Sequence, residues 1–146
     1  MEKKLNMLSE IDREKTKESV EAALEKYRLY LLREPEENLP KVTATYSLVF
    51  PSANNQFFSS TEKAAIDNVD FERERKEYIE RIRKAVNRLN YKEREVIIRR
   101  YLEDEEMFDY EIYNDVGLSE SKYYKLRARA FYKLAIILGI EVYKKD

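Results

Sequence analysis

A chain of 146 residues with 43% hydrophobic content can close one core, or a small domain with appendages, but not two large domains. Charged residues reach 39% while Gly is 2 and Pro is 3, a composition that predicts long charged helices and an all-α fold. The absence of Cys and His excludes disulfides, thiolate zinc sites, Cys or Ser-His nucleophile systems and imidazole acid-base chemistry, and the formal net charge of -1 means that any nucleic-acid role rests on a local positive face.

At the N-terminus Lys3 and Lys4 lead into a polar stretch unlike a signal sequence, and no apolar run approaches bilayer length. The expectation is a cytoplasmic protein with no membrane partner. Apolar residues at Leu5, Leu8, Ile11, Val20, Leu24, Tyr27 and Leu31 then predict an amphipathic helix near 12–33. Glu34-Pro35 stops it. Pro40 and Pro51 bracket VTATYSLVF, Val42 to Phe50, the segment with β-like composition. It is expected to run as one extended connector lying on a helix in preference to a hairpin, pinned by Tyr46, Phe50, Phe57 and Phe58.

Ser59 and Glu62 have the spacing of a capping box that opens a helix running to about Leu89, with a break near 68–70. Its stripe, Phe71, Tyr78, Ile82, Val86 and Leu89, fits packing in a small bundle and also pairing with a second copy, so a homodimer stays open. Asn90 is expected to end this helix. Tyr91 to Leu102 forms another, with Val96, Ile97, Tyr101 and Leu102 inward. The organisation expected is an N-terminal helical and connector region, 1–70, followed by a C-terminal helical DNA-binding domain, 71–146.

Charge switches sign near the C-terminus. From Glu103 to Asp115 there are seven acids and no base, whereas from Ser119 to Leu138 the bases Lys122, Lys125, Arg127, Arg129 and Lys133 face Glu120 alone. An acidic stretch beside a DNA-binding helix must point away from phosphate or meet another partner. Asp109 to Val116 reads as a short helix, Gly117-Leu118-Ser119 as a turn, and Ser119 as the cap of a helix reaching about Leu138, which is the spacing of a helix-turn-helix. Gly117 supplies a positive φ and Leu118 plugs the gap, while Ile112 and Val116 meet Tyr123 and Leu126.

At 100° per residue, Tyr123, Leu126, Ala130 and Leu134 share the inner side of that last helix. Ser121, Lys125, Ala128 and Tyr132 lie opposite, flanked by Lys122, Tyr124 and Arg129. Arg127 falls toward the buried side and reads as a salt-bridge or edge contact. The candidate DNA-binding set is Ser119, Glu120, Ser121, Lys122, Tyr124, Lys125 and Arg129: small and cationic groups near a helix start fit a major groove, with the cations reaching phosphate or guanine edges.

The block LNYKEREVIIRRYL with DYEIYNDVGLSESKYYKLRARAFYKLA resembles the C-terminal, promoter-binding region (region 4) of bacterial sigma factors. The chain more closely resembles the ArpU family of phage late-operon transcriptional regulators, also described as autolysin regulators. The residues that carry this begin with Tyr27-Arg28, Asn55-Gln56, Thr61 to Ala65, Tyr78-Ile79 and Ala85 to Leu89. They continue through Glu93-Arg94, Arg100 to Leu102, Glu111 to Tyr113, Leu118 to Ser121, Tyr123-Tyr124, Ala130 to Ala135 and Glu141 to Tyr143. The resemblance spans nearly the whole chain. It implies an activator of phage or prophage late genes for structure, packaging or lysis, binding double-stranded promoter DNA in the cytoplasm of a bacterial host. One departure is Tyr113, where helix-turn-helix proteins prefer Ala two residues after the Glu of the first helix; its ring should hold the two helices apart.

Two other binding roles fit the same residues: a sigma-region mimic that docks on RNA polymerase with little DNA contact of its own, and a DNA-recognition subunit of a phage packaging machine. An enzyme is not expected. Glu103, Asp104, Glu105, Asp109 and Glu111 are the residues with which one would gather a divalent cation, yet no base, nucleophile or phosphate-cradling glycine loop accompanies them, and no cofactor is implied.

Overall fold

A computed structural model describes residues 10–51, 69–105 and 107–145. Asp12 takes extended backbone and its side chain accepts the Lys15 N–H at 3.1 Å, opening helix α1 (Arg13–Leu31). Val20, Leu24 and Tyr27 recur at helical spacing and are buried, so this helix turns the expected face inward. A single 3-10 turn (Glu36–Asn38) carries the chain past Pro35.

The next segment corrects one expectation. Val42 to Phe50 is not a lone extended connector: strands β1 (Lys41–Val42) and β2 (Leu48–Val49) pair antiparallel with Val42 opposite Leu48. So small a ladder is marginal by itself and depends on outside anchors. Leu48 is buried, and the Asn87 side chain pairs with both its backbone groups, at 2.9 and 3.0 Å. Arg94 donates to the carbonyls of Thr45 and Tyr46 in the turn, where Tyr46 holds a positive φ of 56°. The connector does lie against helices, as its aromatics suggested, with Tyr46 and Phe50 packed on the core.

Helix α2 (Val69–Asn87) follows; the Ser59–Glu62 capping box, and Phe57 and Phe58, lie outside the described residues. Ile82 and Val86 are buried and Tyr78 is half-buried, as the stripe predicts, but Phe71 is exposed and Ile79 and Ala85 join the buried side. So do Arg75 and Lys76. Arg75 enters because α1 ends beside it: its guanidinium meets Glu34 at 2.5 Å and Glu72 at 2.6 Å and donates to the Tyr30 carbonyl.

Asn90 does not end α2. It opens α3 (Tyr91–Ile97) instead, accepting the Glu93 N–H while Glu93 accepts the Asn90 N–H, both at 3.0 Å. The helix then widens into a π turn (Ile98–Leu102). Helix α4 (Asp109–Asp115) and helix α5 (Glu120–Leu138) complete the chain, with Gly139 at φ 68° closing α5 in the left-handed region.

One main core joins α1, β2, α2, the π turn and α5, so residues on both sides of position 70 contribute to it. Each fully buried Val, Leu or Ile there is worth about 1.5–3 kcal/mol. A satellite cluster of Val96, Ile112 and Tyr123 sits under α4. The fold is all-α, with the small hairpin and an isolated Ile11–Tyr143 bridge as the β pairing among the described residues. Among the described residues no helix is long and apolar enough to cross a membrane.

Candidate nucleic-acid interface

Between α4 and α5 the chain turns at Gly117 and Leu118, as the spacing predicts. Gly117 has φ 73°, and an added Cβ would meet nothing within 4 Å, so glycine answers a backbone demand and not a crowded one. Leu118 and Val116 pack on the satellite cluster together with Leu126. Tyr113 lies there too, its ring 5.6 Å from that of Tyr123, so the bulky side chain is accommodated as an aromatic contact between the helices.

Two acids of the stretch, Asp109 and Asp115, find arginine partners inside the protein. The π turn aims Arg99 and Arg100 at opposite ends of α4: Arg99 meets Asp115 at 3.0 Å and Arg100 meets Asp109 at 3.1 Å. Asp109 also accepts from the Tyr123 hydroxyl at 2.5 Å and from Arg127 at 3.1 Å, drawing the π turn, α4 and α5 together. Burial pushes the Asp109 carboxyl up. The Tyr123 hydroxyl and the nearby Arg127 and Arg100 outweigh that and hold it below its ordinary value. At Glu111, Oε1 accepts the Phe108 N–H, so it serves the start of α4. Among the described residues no three carboxylates gather into a metal site.

The same geometry divides the cations of α5. Arg127 is committed to Asp109, as its angular position foretold, and its guanidinium lies 4.9 Å from the Tyr124 ring. Lys133 reaches the fully buried Glu93 at 2.9 Å, tying α5 to α3. Lys122, Lys125 and Arg129 are exposed and have no ion-pair partner among the described residues. Ser121 and Ala128, small and exposed, lie among them. Ser119 caps the helix, accepting the Lys122 N–H at 3.2 Å, and Glu120 is exposed at its first position.

Tyr124 occupies a different surface from the cations. Its ring stands edge-on to Tyr123 and lines a cleft of about 200 Å³ with Ala128, Phe131 and Tyr132. The opposite wall is the start of α1, through Arg13, Glu14, Thr16 and Lys17. Sequence reasoning did not bring Arg13 and Lys17 to this face, because more than a hundred positions separate them from α5. The C-terminal tail fixes their place: the Asp12 N–H donates to the Val142 carbonyl at 2.8 Å, Thr16 exchanges hydrogen bonds with Val142, and the Ser19 hydroxyl donates to the Ile140 carbonyl.

Fold and site together define an all-α protein whose last helix is anchored on one side by ion pairs and presents on the other cations that have no ion-pair partner among the described residues. Along 94% of its length the chain is 39% identical to an uncharacterized phage-related protein of Listeria innocua, covering 96% of that protein. The chain belongs to the family of that phage-related protein. It is also 27% identical to protein Gp66 of Listeria phage A118, over 94% of each chain. No protein-family model and no solved structure matches it.

Proposed function

We propose that the protein is a sequence-specific DNA-binding regulator that activates phage or prophage late genes, with α4, the Gly117 turn and α5 serving as a helix-turn-helix. The observation that carries this reading is the outward side of α5, where Lys122, Lys125 and Arg129 surround Ser121 and Ala128 without acidic partners among the described residues. Small side chains let a helix approach base edges, while cations supply phosphate and guanine contacts. Ser119, Glu120 and Ser121 stand at the end of the helix that enters the groove. Asp109 and Asp115 are neutralised by arginines, which lowers the repulsion that an acidic stretch would otherwise exert on phosphate.

The phage-related relatives and the resemblance to late-operon regulators support the biological setting. Double-stranded operator DNA is the partner. RNA polymerase and a second copy of the chain are the further partners this role calls for. Selection of bound duplexes from a random library, with wild type and Lys125→Ala side by side, is the test. A single enriched motif that the variant loses is expected; salt-sensitive binding with no enriched motif would overturn base reading by α5.

A further inference from the structure

The cleft beside α5 is not used by base reading, yet it is continuous with the face that performs it. Ala128 lines the cleft and also belongs to the outward side of the helix, and Lys125 is only about 60° from Ala128 around the axis. A helix seated in a major groove is bounded by two phosphate backbones, so whatever flanks it at roughly a right angle meets one of them. The start of α1 occupies that position. Arg13 is exposed and Lys17 partly so, and neither has an ion-pair partner among the described residues. The hydrogen bonds from Asp12, Thr16 and Ser19 to the C-terminal tail fix the turn of α1 that carries Arg13 and Lys17.

We propose that Arg13 and Lys17, with the Tyr124 and Tyr132 side chains lining the cleft they flank, form a second DNA contact that grips the phosphodiester backbone beside α5. This inference rests on the reading of α5 as the groove-bound helix. The contact is indifferent to sequence, because it involves phosphate and sugar and no base edge. It makes α1 part of the DNA-binding surface, so the N-terminal region helps to set the angle at which α5 enters the groove. Glu14 lines the same cleft and opposes the phosphate, which supplies a charge test of opposite sign.

The experiment measures affinity of the full chain for a selected duplex and a random duplex between about 50 and 200 mM salt, the range over which phosphate contacts weaken steeply. Arg13→Ala with Lys17→Ala is expected to weaken both duplexes by the same factor and to lower the salt slope by about 1 for each phosphate that is no longer neutralised. Glu14→Gln is expected to strengthen both. Circular dichroism and the thermal midpoint verify that these surface variants fold. Unchanged affinity and salt slope in the double variant, with Lys125→Ala still abolishing sequence preference, would overturn the backbone contact and leave the α5 reading intact. Failure of wild type to bind either duplex would overturn both.

Discussion

Helices α2 and α5 have the same length, 19 residues each, and treat their cations differently. On α2, acids stand three positions ahead of arginines: Glu72 pairs with Arg75 and Glu80 with Arg83. Its five acids nearly balance its six bases along the sequence, and Glu34 from the end of α1 completes the buried pair. Glu120 is the single acid of α5, and the acids that its cations do find, Asp109 and Glu93, belong to other elements. Only the cations on the side turned toward α3 and α4 reach them. A helix whose own acids nearly balance its bases compensates its charge locally, whereas one with a single acid is anchored where other elements supply carboxylates and keeps its exposed cations elsewhere.

That comparison can be broken by removing cations one at a time and following stability. The largest loss is expected at the buried site: Arg75→Ala should cost about 3–5 kcal/mol, because it strands Glu34 in the core. The shift in denaturant midpoint measures it. Replacing the pair together, Glu34→Leu with Arg75→Met, should recover most of the loss; if Arg75→Ala is as mild as a surface change, α2 is not held in this way.

Asp109→Asn should cost about 1.5–3 kcal/mol, since it leaves Arg100 and Arg127 without the carboxylate they share. The native carboxyl lies below its ordinary value. Its contribution is therefore complete above about pH 4, the unfolded value, and disappears as pH falls through the lower native one. Wild type should lose more stability than the variant when both are titrated below pH 4. Glu72, held low first by its hydrogen bond from Arg75, keeps some acid sensitivity in both. Equal acid slopes for the two proteins would show that the Asp109 junction carries no such linkage.

Arg83→Ala, at a partly exposed pair within one helix, should cost only about 0.2–1 kcal/mol by thermal or denaturant unfolding. Smallest of all, Lys125→Ala should change stability by less than about 0.5 kcal/mol. Its effect is expected in DNA affinity, as a loss of about 1–3 kcal/mol on the selected duplex. A stability loss at Lys125 comparable to that at Arg75 would mean that the outward side of α5 is structural, and the contrast between the helices would collapse.

Local chemistry made much of this molecule legible in advance. The ends of α1, the Gly117 turn, the Ser119 cap and the sorting of α5 into inward and outward sides all follow from interactions within a few residues, which a helical projection captures. Two readings went astray, and one burial was not foreseen at all. Val42 to Phe50 folds back because Asn87 and Arg94 capture its backbone. Arg75 is buried because the end of α1 supplies Glu34. Asn90 looked like a helix end, but its side chain caps the next helix instead, a choice that Glu93 completes.

By itself the sequence determined the all-α class, the helix order and which cations of α5 face outward, since periodicity and capping are properties of neighbouring residues. Tertiary structure decided which charges pair. It drew Asp109 and Asp115 onto Arg99, Arg100 and Arg127, and it set Arg13 and Lys17 beside Tyr124. Coulomb attraction and burial act on distances in space, and no spacing along the chain records that the first described helix and the last lie side by side.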